Sequence, residues 1–353
     1  MICGAYSVMP DDWAEICVEA GFQKFRGEQI ANALYRAQVA KWEDASTLPG
    51  NIRVWLSESY PIDSLREAAC DEAGENVRKF ALECRDGEIV ETVYIPQNGR
   101  LTVCISSQVG CNFKCAFCAS GQLGCKRSLT TDEIVGQVMA TCRLIREENQ
   151  TTDVVRPNNI VVMGMGEPFD NYDNVLKALR ILNAPKGLYI GARHMTISTC
   201  GIVPGILKLA EEGVQFELSV SLHAPTDDLR NEIMPVNRRW PIAELMEACR
   251  TYMQQTGRIV TFEYTLVRGF NDSPKHARQL VSLLRGTKMR VNLIPLSPVK
   301  EFDGFAPHES VCQDFQDVLV AAGINTTLRR SRGKAGNAAC GQLRRRITEE
   351  KDS

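Results

Sequence analysis

Three cysteines lie close together in the sequence, at Cys111, Cys115 and Cys118, with three and then two residues between them. Thiolates bind zinc and iron–sulfur clusters, so this spacing predicts a metal centre on one loop. Zinc would need a fourth ligand, for which Cys125 is a candidate, and none of the four histidines is close in sequence. A cubane iron–sulfur cluster can use three thiolates and keep one iron open for a small chelating substrate.

Other residues with ligand-type chemistry follow predicted strands. They are Gly166, Glu167, Ser198, Ser221, Leu222 and His223. Gly166 permits close backbone approach to a ligand, and the carboxylate of Glu167 can accept hydrogen bonds from an ammonium group. A glycine-rich turn or a polar strand end is common by itself. Its repetition on successive strands, next to the cysteine segment, favours a ligand site.

Predicted strands and helices alternate from residue 101 and would position these residues. The predicted strands are 101–106, 159–163, 195–198, 216–222, 259–267 and 290–295, and the helices are 131–148, 172–182, 203–212, 241–254, 274–284 and 308–322. A further strand is predicted at 326–330. Such alternation indicates a parallel sheet with right-handed crossovers. Six units favour an α/β fold with a partial (β/α)6 TIM-like barrel, and a doubly wound sheet is the alternative. In both, the chemistry belongs at the carboxyl ends of the strands.

The preceding part of the chain has a different pattern. Residues 10–60 carry helical periodicity, whereas 78–82 and 89–95 are predicted strands joined by the turn Asp86-Gly87. This predicts four parts. They are a small N-terminal helical accessory domain at 1–77, a β extension at 78–100, the barrel with a C-terminal catalytic loop at 101–346, and a tail at 347–353.

Composition restricts the class of protein. The chain has 353 residues, of which 44% are hydrophobic and 24% charged, so it can bury a sizeable core and is not mainly disordered. The N-terminus lacks the pattern of a signal peptide, and no apolar stretch approaches the length of a membrane helix. We therefore expect a cytoplasmic protein without membrane contact, in which most of the 14 cysteines are reduced.

The net charge of −2 conceals a basic segment near the C-terminus. Between Thr327 and Arg346 there is no acid, and the cations are Arg329, Arg330, Arg332, Lys334, Arg344, Arg345 and Arg346. Cys340 lies within this segment, among small residues, and basic neighbours favour the reactive thiolate form. The segment could be a solvated tail, or it could contact phosphate groups near Cys340.

In these features the sequence resembles the radical S-adenosylmethionine (SAM) superfamily, whose hallmark is C-x3-C-x2-C after the first strand of a partial barrel. Within it, the chain resembles the RNA adenine methyltransferases called RlmN and Cfr, from about residue 20 to residue 346. The matching segments are 90–96, 104–111, 132–138 and 337–343, in addition to the cysteine segment and Gly166-Glu167-Pro168.

The resemblance implies a mechanism with a [4Fe-4S] cluster on Cys111, Cys115 and Cys118, two SAM molecules per turnover and an external one-electron reductant. Cys340 matches the cysteine that is methylated and then forms a covalent adduct with RNA. Glu91 matches the proton acceptor. Cys104 matches the cysteine that resolves the adduct as a disulfide. The positions that match SAM contacts are Gly166, Glu167, Ser198, Ser221, Leu222, His223 and Ser297. We also expect a monomer.

The resemblance leaves the substrate less sharply defined. RlmN-type enzymes methylate C2 of an adenosine in 23S rRNA and in some tRNAs, and Cfr-type enzymes methylate C8 of the same rRNA base. Asn171-Tyr172 after Gly166-Glu167-Pro168 favours C2. The family usually has Asn-Pro where Ser297-Pro298 stands, and an acidic stretch where 334–337 stand. A paralogue that acts on another RNA is therefore an alternative hypothesis. Two further alternatives are a non-catalytic iron–sulfur or zinc protein that binds RNA and a radical enzyme that acts on a small molecule.

Overall fold

The structure, a computed structural model, describes residues 4–62, 65–74, 76–122, 124–151, 153–299, 302–329 and 343. The helices are α1 Trp13–Glu19, α2 Arg26–Asn32, α3 Gly50–Ser59, α4 Ala119–Gln122, α5 Thr131–Glu148, α6 Tyr172–Asn183, α7 Val203–Glu211, α8 Asp227–Ile233, α9 Ile242–Thr256, α10 Pro274–Leu284 and α11 Glu309–Ala321. The strands are β1 Leu65–Glu72, β2 Arg78–Cys84, β3 Ile89–Gln97, β4 Arg100–Cys104, β5 Gln108–Gly110, β6 Cys125–Ser128, β7 Asn159–Val162, β8 Met195–Thr199, β9 Glu217–Ser221, β10 Val260–Leu266, β11 Arg290–Pro295 and β12 Asn325–Leu328.

Ten strands form one mixed sheet in the order β1-β2-β3-β4-β7-β8-β9-β10-β11-β12. The first four strands pair antiparallel, and every pair from β4 to β12 is parallel. Because consecutive parallel strands are joined through helices, β4 to α11 contains six strand–helix units. This confirms the predicted α/β fold with a partial barrel, extended by an antiparallel sheet at one edge.

The two faces of the parallel sheet differ in polarity. Along β8 and β10, half-buried residues alternate with fully buried ones, as when Glu263 is followed by the wholly buried Tyr264. Alternate side chains in a strand point to opposite faces, so the buried apolar set packs under the helices. Ser221 pairs with Glu263, which pairs with Asn292, so polar side chains from neighbouring strands share the other face. That face lines the interior of the partial barrel and can receive a polar ligand.

The N-terminal helices pack against the barrel through α5. The backbone N–H of Tyr6 donates to Asp132 Oδ1 at 2.8 Å, and Arg143 donates to the Tyr6 hydroxyl at 2.9 Å. Trp13 packs edge-on against Trp42, with ring centroids 6.4 Å apart. Residues from these helices and from the barrel belong to one continuous apolar core. Among the described residues, no helix is long and apolar enough to span a bilayer.

Several elements differ from the sequence-based expectation. Strand β1 lies inside the range 1–77 that was predicted to be helical, and helices α4 and α8 and the β5–β6 hairpin were not predicted. In β1 only Leu65 is fully buried, because the strand forms the outer edge of the sheet. An edge strand rich in charged residues has no apolar alternation from which to recognise it.

Candidate active site at the carboxyl ends of the barrel strands

The loop between β5 and β6 carries the C-x3-C-x2-C segment. The backbone N–H of Cys111 donates to the Gly124 carbonyl at 2.9 Å, which closes the base of the loop. The N–H of Ala116 donates to the Ile233 carbonyl at 2.9 Å, which ties the loop to the end of α8. Lys114 has a φ of 50°, so the backbone turns sharply between the first two cysteines. The hairpin therefore holds the segment at the barrel mouth.

The three thiols of this loop influence one another. The pKa of Cys111 is raised to about 12, mainly by burial and to a smaller extent by the nearby Cys118 and Glu167, while a backbone hydrogen bond from Phe113 opposes the shift. Burial also raises the pKa of Cys115 well above its usual range, and Cys118 and Cys111 add to the shift. Such thiols ionise only beside a strong positive charge, and thiolate coordination to a metal supplies one. The donor set therefore suits iron or another thiophilic metal.

The described residues contain no group of three histidine, cysteine or carboxylate side chains gathered as ligands of a single ion. Cys125 occupies β6, across the hairpin from the cysteine segment, and its Sγ lies 3.6 Å from the Arg127 carbonyl oxygen. Its backbone N–H donates to Asn112 Oδ1 at 3.2 Å. The thiol therefore has a hydrogen-bond partner within its own strand, and the arrangement does not single it out as a fourth ligand.

The loop after β7 contains Gly166 and Glu167. Gly166 has a φ of 98°, and a Cβ there would lie 2.6 Å from the backbone nitrogen of Gln108. Glu167 is 3% exposed, and its carboxylate accepts from the N–H groups of Phe169 at 3.0 Å and Cys200 at 2.7 Å. Burial raises the pKa of Glu167, and these hydrogen bonds oppose the shift. The side chains of Thr199 and Cys200 also hydrogen-bond to this carboxylate, so four donors converge on it and fix its position after Gly166.

His223 follows β9 and touches the cysteine loop. Its ring packs edge-on against Phe117, with centroids 4.6 Å apart. Its Nδ1 lies 2.9 Å from the N–H of Thr265 and accepts from it, so the neutral ring carries its hydrogen on Nε2. Burial, and secondarily Arg230, lowers the pKa of His223 to about 3, so the ring stays neutral. The end of β9 and the cysteine loop therefore form one wall.

The predicted serines are half-buried at strand ends. Ser198 lies at the end of β8 and Ser221 at the end of β9, which are adjacent strands. Leu222 is fully buried, and its N–H donates to the Glu263 carbonyl at 3.0 Å. Ser297 follows β11, two strands beyond β9. The structure thus brings the positions after β7, β8 and β9 together and places Ser297 farther around the same edge.

Sequence analysis missed Arg230, which lies on α8 and is fully buried. Its guanidinium donates to the carbonyl oxygens of Cys200 at 2.7 Å, Ser221 at 3.0 Å and Leu222 at 3.1 Å. It thereby locks the ends of β8 and β9 together. Its charge also faces the thiol of Cys115. No motif marks this arginine, since in the sequence it belongs to an ordinary charged helix.

A cluster of buried residues, Lys79, Glu91 and Cys104, lies where the antiparallel strands join the barrel. Glu91 on β3 and Lys79 on β2 are each 2% exposed, and Lys79 Nζ lies 3.5 Å from Glu91 Oε2. Cys104 on β4 is 6% exposed and pairs with Val93 on β3. Lys79 also pairs with Val93, so these side chains share one face of the sheet. The structure therefore brings together the predicted Glu91 and Cys104, and it adds Lys79.

Hydrogen bonds connect this group with the loop after β7. The Ser106 hydroxyl donates to the Glu91 carbonyl at 2.6 Å and accepts from the N–H of Met165 at 2.9 Å. Gln137 on α5 accepts from the N–H of Ser106 at 2.8 Å and from the Thr92 hydroxyl at 2.9 Å. Such a network holds the β3 backbone and the glycine-rich loop in a fixed relation.

Comparison with known proteins identifies this arrangement. Residues 105–281 match the radical SAM superfamily. A relative from Geobacillus kaustophilus, named probable dual-specificity RNA methyltransferase RlmN, is 44% identical over 98% of this chain and 93% of its own length. The chain belongs to the RlmN family of radical SAM proteins. The RlmN of Bacillus thuringiensis is 43% identical over 98% of this chain and 94% of its own.

Structural comparison agrees with this assignment. The crystal structure of a radical SAM methyltransferase from Sphaerobacter thermophilus superimposes with a TM-score of 0.90 and 41% identity, over 96% of this chain and 98% of that one. The family resemblance inferred from the motifs is confirmed. Membership of the radical SAM superfamily implies a [4Fe-4S] cluster and SAM. The buried thiol of Cys111 and the half-buried thiols of Cys115 and Cys118 fit such a cluster.

Two features that matter in the RlmN family fall outside the described residues. They are Cys340 and the cations from Arg330 onward, whereas Arg329 is described and exposed. Leu343, three residues after Cys340 in the sequence, is described and is 2% exposed. It packs with Ala81 on β2 and Ile89 on β3. Leu343 is therefore an anchor residue on the sheet that carries Glu91.

Substitution of Gly110, which directly precedes the cysteine segment, tests whether the loop geometry is needed to bind iron. It has a φ of 93°, and a Cβ would lie 1.8 Å from the Gly124 carbonyl oxygen. We expect Gly110→Ala to cost at least about 1–3 kcal/mol of unfolding free energy and to lower bound iron. Thermal unfolding and iron analysis check this. Gly124→Ala is the control, because it has a positive φ and no atom within 4 Å of its Cβ. Equal iron loss in both variants would show that positive φ alone matters.

Proposed function

We propose that this chain is a radical SAM enzyme that methylates an adenine ring carbon of RNA, with C2 preferred. The observation that carries the proposal is the convergence on one sheet of Glu91, Cys104 and the anchor residue Leu343, beside the cysteine loop. An iron–sulfur protein that only bound RNA would need no buried carboxylate and thiol at this edge. The relatives that carry the name dual-specificity RNA methyltransferase support the same activity.

In this proposal Cys111, Cys115 and Cys118 hold the cluster, which when bound supplies the electron for reductive cleavage of SAM. The electron comes from an external one-electron reductant. Glu167 would accept a hydrogen bond from the SAM ammonium group, since Gly166-Glu167-Pro168 matches the superfamily's loop for that group. The other proposed SAM contacts are Gly166, Ser198, Ser221, Leu222, His223 and Ser297.

The remaining chemistry belongs to the chain's own side chains. Cys340 would accept a methyl group from one SAM and, after activation by a second SAM, attach it to the adenine. Glu91 would accept the proton that leaves the ring carbon. Cys104 would then release the RNA by forming a disulfide with Cys340.

We propose 23S rRNA and tRNA as substrates, with residues 1–77 as an accessory RNA-binding part of a cytoplasmic monomer. Residues 78–100 would form the β extension, 101–346 the barrel with its catalytic loop, and 347–353 the tail. Strand β1 within 1–77 pairs with β2, so the accessory part and the β extension share a sheet. RNA would enter with its target base flipped out of the stack.

The product decides between the candidate activities. We expect RNA from a strain that lacks this gene to lose 2-methyladenosine, and purified protein with SAM and reductant to restore it. Nucleoside mass spectrometry checks both. Appearance of 8-methyladenosine instead would assign C8. A methylated adenine only in a different RNA would indicate a paralogue. Absence of any methylated adenine, together with absence of SAM cleavage, would contradict the proposal and favour a binding protein.

A further inference from the structure

The end of the barrel opposite the cysteine loop carries a row of basic residues. Arg100 begins β4 and Arg290 begins β11, while the others lie one to three residues before β7, β8 and β10. We call this set the amino-terminal rim: Arg100, Arg156, Arg193, His194, Arg258 and Arg290. The strands are neighbours in the sheet, so residues from position 100 to position 290 meet at one edge. The proposed catalytic site uses none of them.

Few carboxylates neutralise this edge. Glu217, at the start of β9, forms an ion pair with Arg258. The pKa of Arg258 is lowered, mainly by burial. The positive charges of Arg193 and Arg290 lie close enough to lower it further. Among the described residues, no carboxylate lies within ion-pair distance of the other five members of the rim. Several unpaired cations held near one another repel, and a bound polyanion relieves that repulsion.

The rim also contains a cavity of about 440 Å³ between the starts of β4, β7 and β8. Arg100, Arg156, Tyr189 and His194 line it. The Tyr189 side chain is 59% exposed although it is a large aromatic residue. The Arg156 guanidinium donates to the Tyr189 carbonyl at 2.5 Å, and its central carbon lies 5.9 Å from the ring centroid. The cavity therefore combines two arginines with an accessible aromatic ring.

The two arginines and the exposed aromatic ring of this cavity indicate which kind of ligand it can bind. A metal ion would be repelled by the arginines, and an apolar ligand would leave them without partners. Phosphate is matched by guanidinium groups, and a nucleobase can stack on an exposed aromatic ring. Single-stranded RNA offers both groups on one chain, with bases free to leave the stack.

We propose that the amino-terminal rim is a second RNA-binding surface, on which Arg100, Arg156 and Arg193 contact backbone phosphates and Tyr189 stacks with an unpaired base. This inference rests on the proposed RNA substrate. The seven residues of β10 span roughly 23 Å, so the rim lies well away from the cysteine loop. It contributes to the affinity for a long RNA that reaches around the barrel. It does not contribute to the chemistry at the target base.

The test compares two RNAs, a short oligonucleotide with only the target stem-loop and a long fragment that extends beyond it. Equilibrium binding is measured between low and moderate salt, together with KM and kcat for methylation. The double variant Arg100→Ala/Arg193→Ala is expected to lose about two units from the salt slope of log K for the long RNA. We also expect KM for that RNA to rise by at least about ten-fold, with kcat and the short RNA unaffected.

Tyr189→Leu is expected to weaken binding of the long RNA by about ten-fold without changing the salt slope, since stacking carries no charge. Arg250→Ala/Arg278→Ala is the matched control, because both arginines are exposed on helices of the outer layer, α9 and α10. An unchanged slope in Arg100→Ala/Arg193→Ala, an equal loss in the control, or an equal loss for the short RNA would overturn the inference. If the wild type binds and methylates neither RNA, the proposed function itself fails.

Discussion

Replacing Cys115 with alanine is expected to eliminate bound iron and to reduce RNA methylation and SAM cleavage by at least about 10³-fold. Cys115 is the middle cysteine of the segment, it is half-buried, and both Cys118 and Cys111 lie close enough to raise the pKa of its thiol. Loss of one of three thiolates leaves too few ligands to hold a cubane cluster. Because the cofactor supplies chemistry that side chains lack, activity falls with iron content.

Cys125→Ala is the control for that experiment, since Cys125 follows the three cysteines of the segment and is the candidate for a fourth metal ligand. Its Sγ is paired with the Arg127 carbonyl, and its variant is expected to keep full iron content and activity. Anaerobic analysis of iron, zinc and sulfide, with assay of 5′-deoxyadenosine, provides the measurement. Loss of metal from Cys125→Ala as well, with zinc in the wild type, would establish a four-thiolate zinc site and contradict the proposed cluster.

Lys79→Met is expected to lower the unfolding free energy by about 3–5 kcal/mol, because it removes the buried cation that faces the Glu91 carboxylate. The two groups are each 2% exposed and 3.5 Å apart. Glu91→Gln is expected to abolish RNA methylation, since the amide cannot accept the ring proton. The double variant Lys79→Met/Glu91→Gln removes both charges and should recover much of the stability without recovering methylation.

The comparison separates the structural role of the pair from its role in the reaction. Denaturation gives the stability of the two single variants and the double variant, and nucleoside mass spectrometry gives methylation. Arg180→Met is the matched control, because Arg180 pairs with Glu212 at 2.7 Å but is 45% exposed. That variant should cost only about 0–1 kcal/mol. A double variant as unstable as Lys79→Met, or one that still methylates RNA, would contradict the role assigned to Glu91 and its partner.

Local sequence patterns identified most elements of the barrel. The predicted bounds of α5, α10 and β11 coincide with the structure, and the other barrel strands begin or end within one or two residues of their prediction. These elements have strong caps or clear apolar periodicity, such as the capping box formed by Thr130 and Glu133 at the start of α5. Strand β1 lacked such a signal, because an exposed edge strand buries almost none of its side chains.

The sequence by itself determined the cysteine spacing, the family and the order of the six strand–helix units of the barrel, because those features are local or depend on residue type. Only the tertiary structure decided which distant residues meet. It paired Lys79 with Glu91, placed Arg230 between two strand ends, and gathered the amino-terminal rim from five separated segments. These contacts join residues on different strands or helices. Their partners are set by strand register and by burial, which the local pattern of residues does not encode.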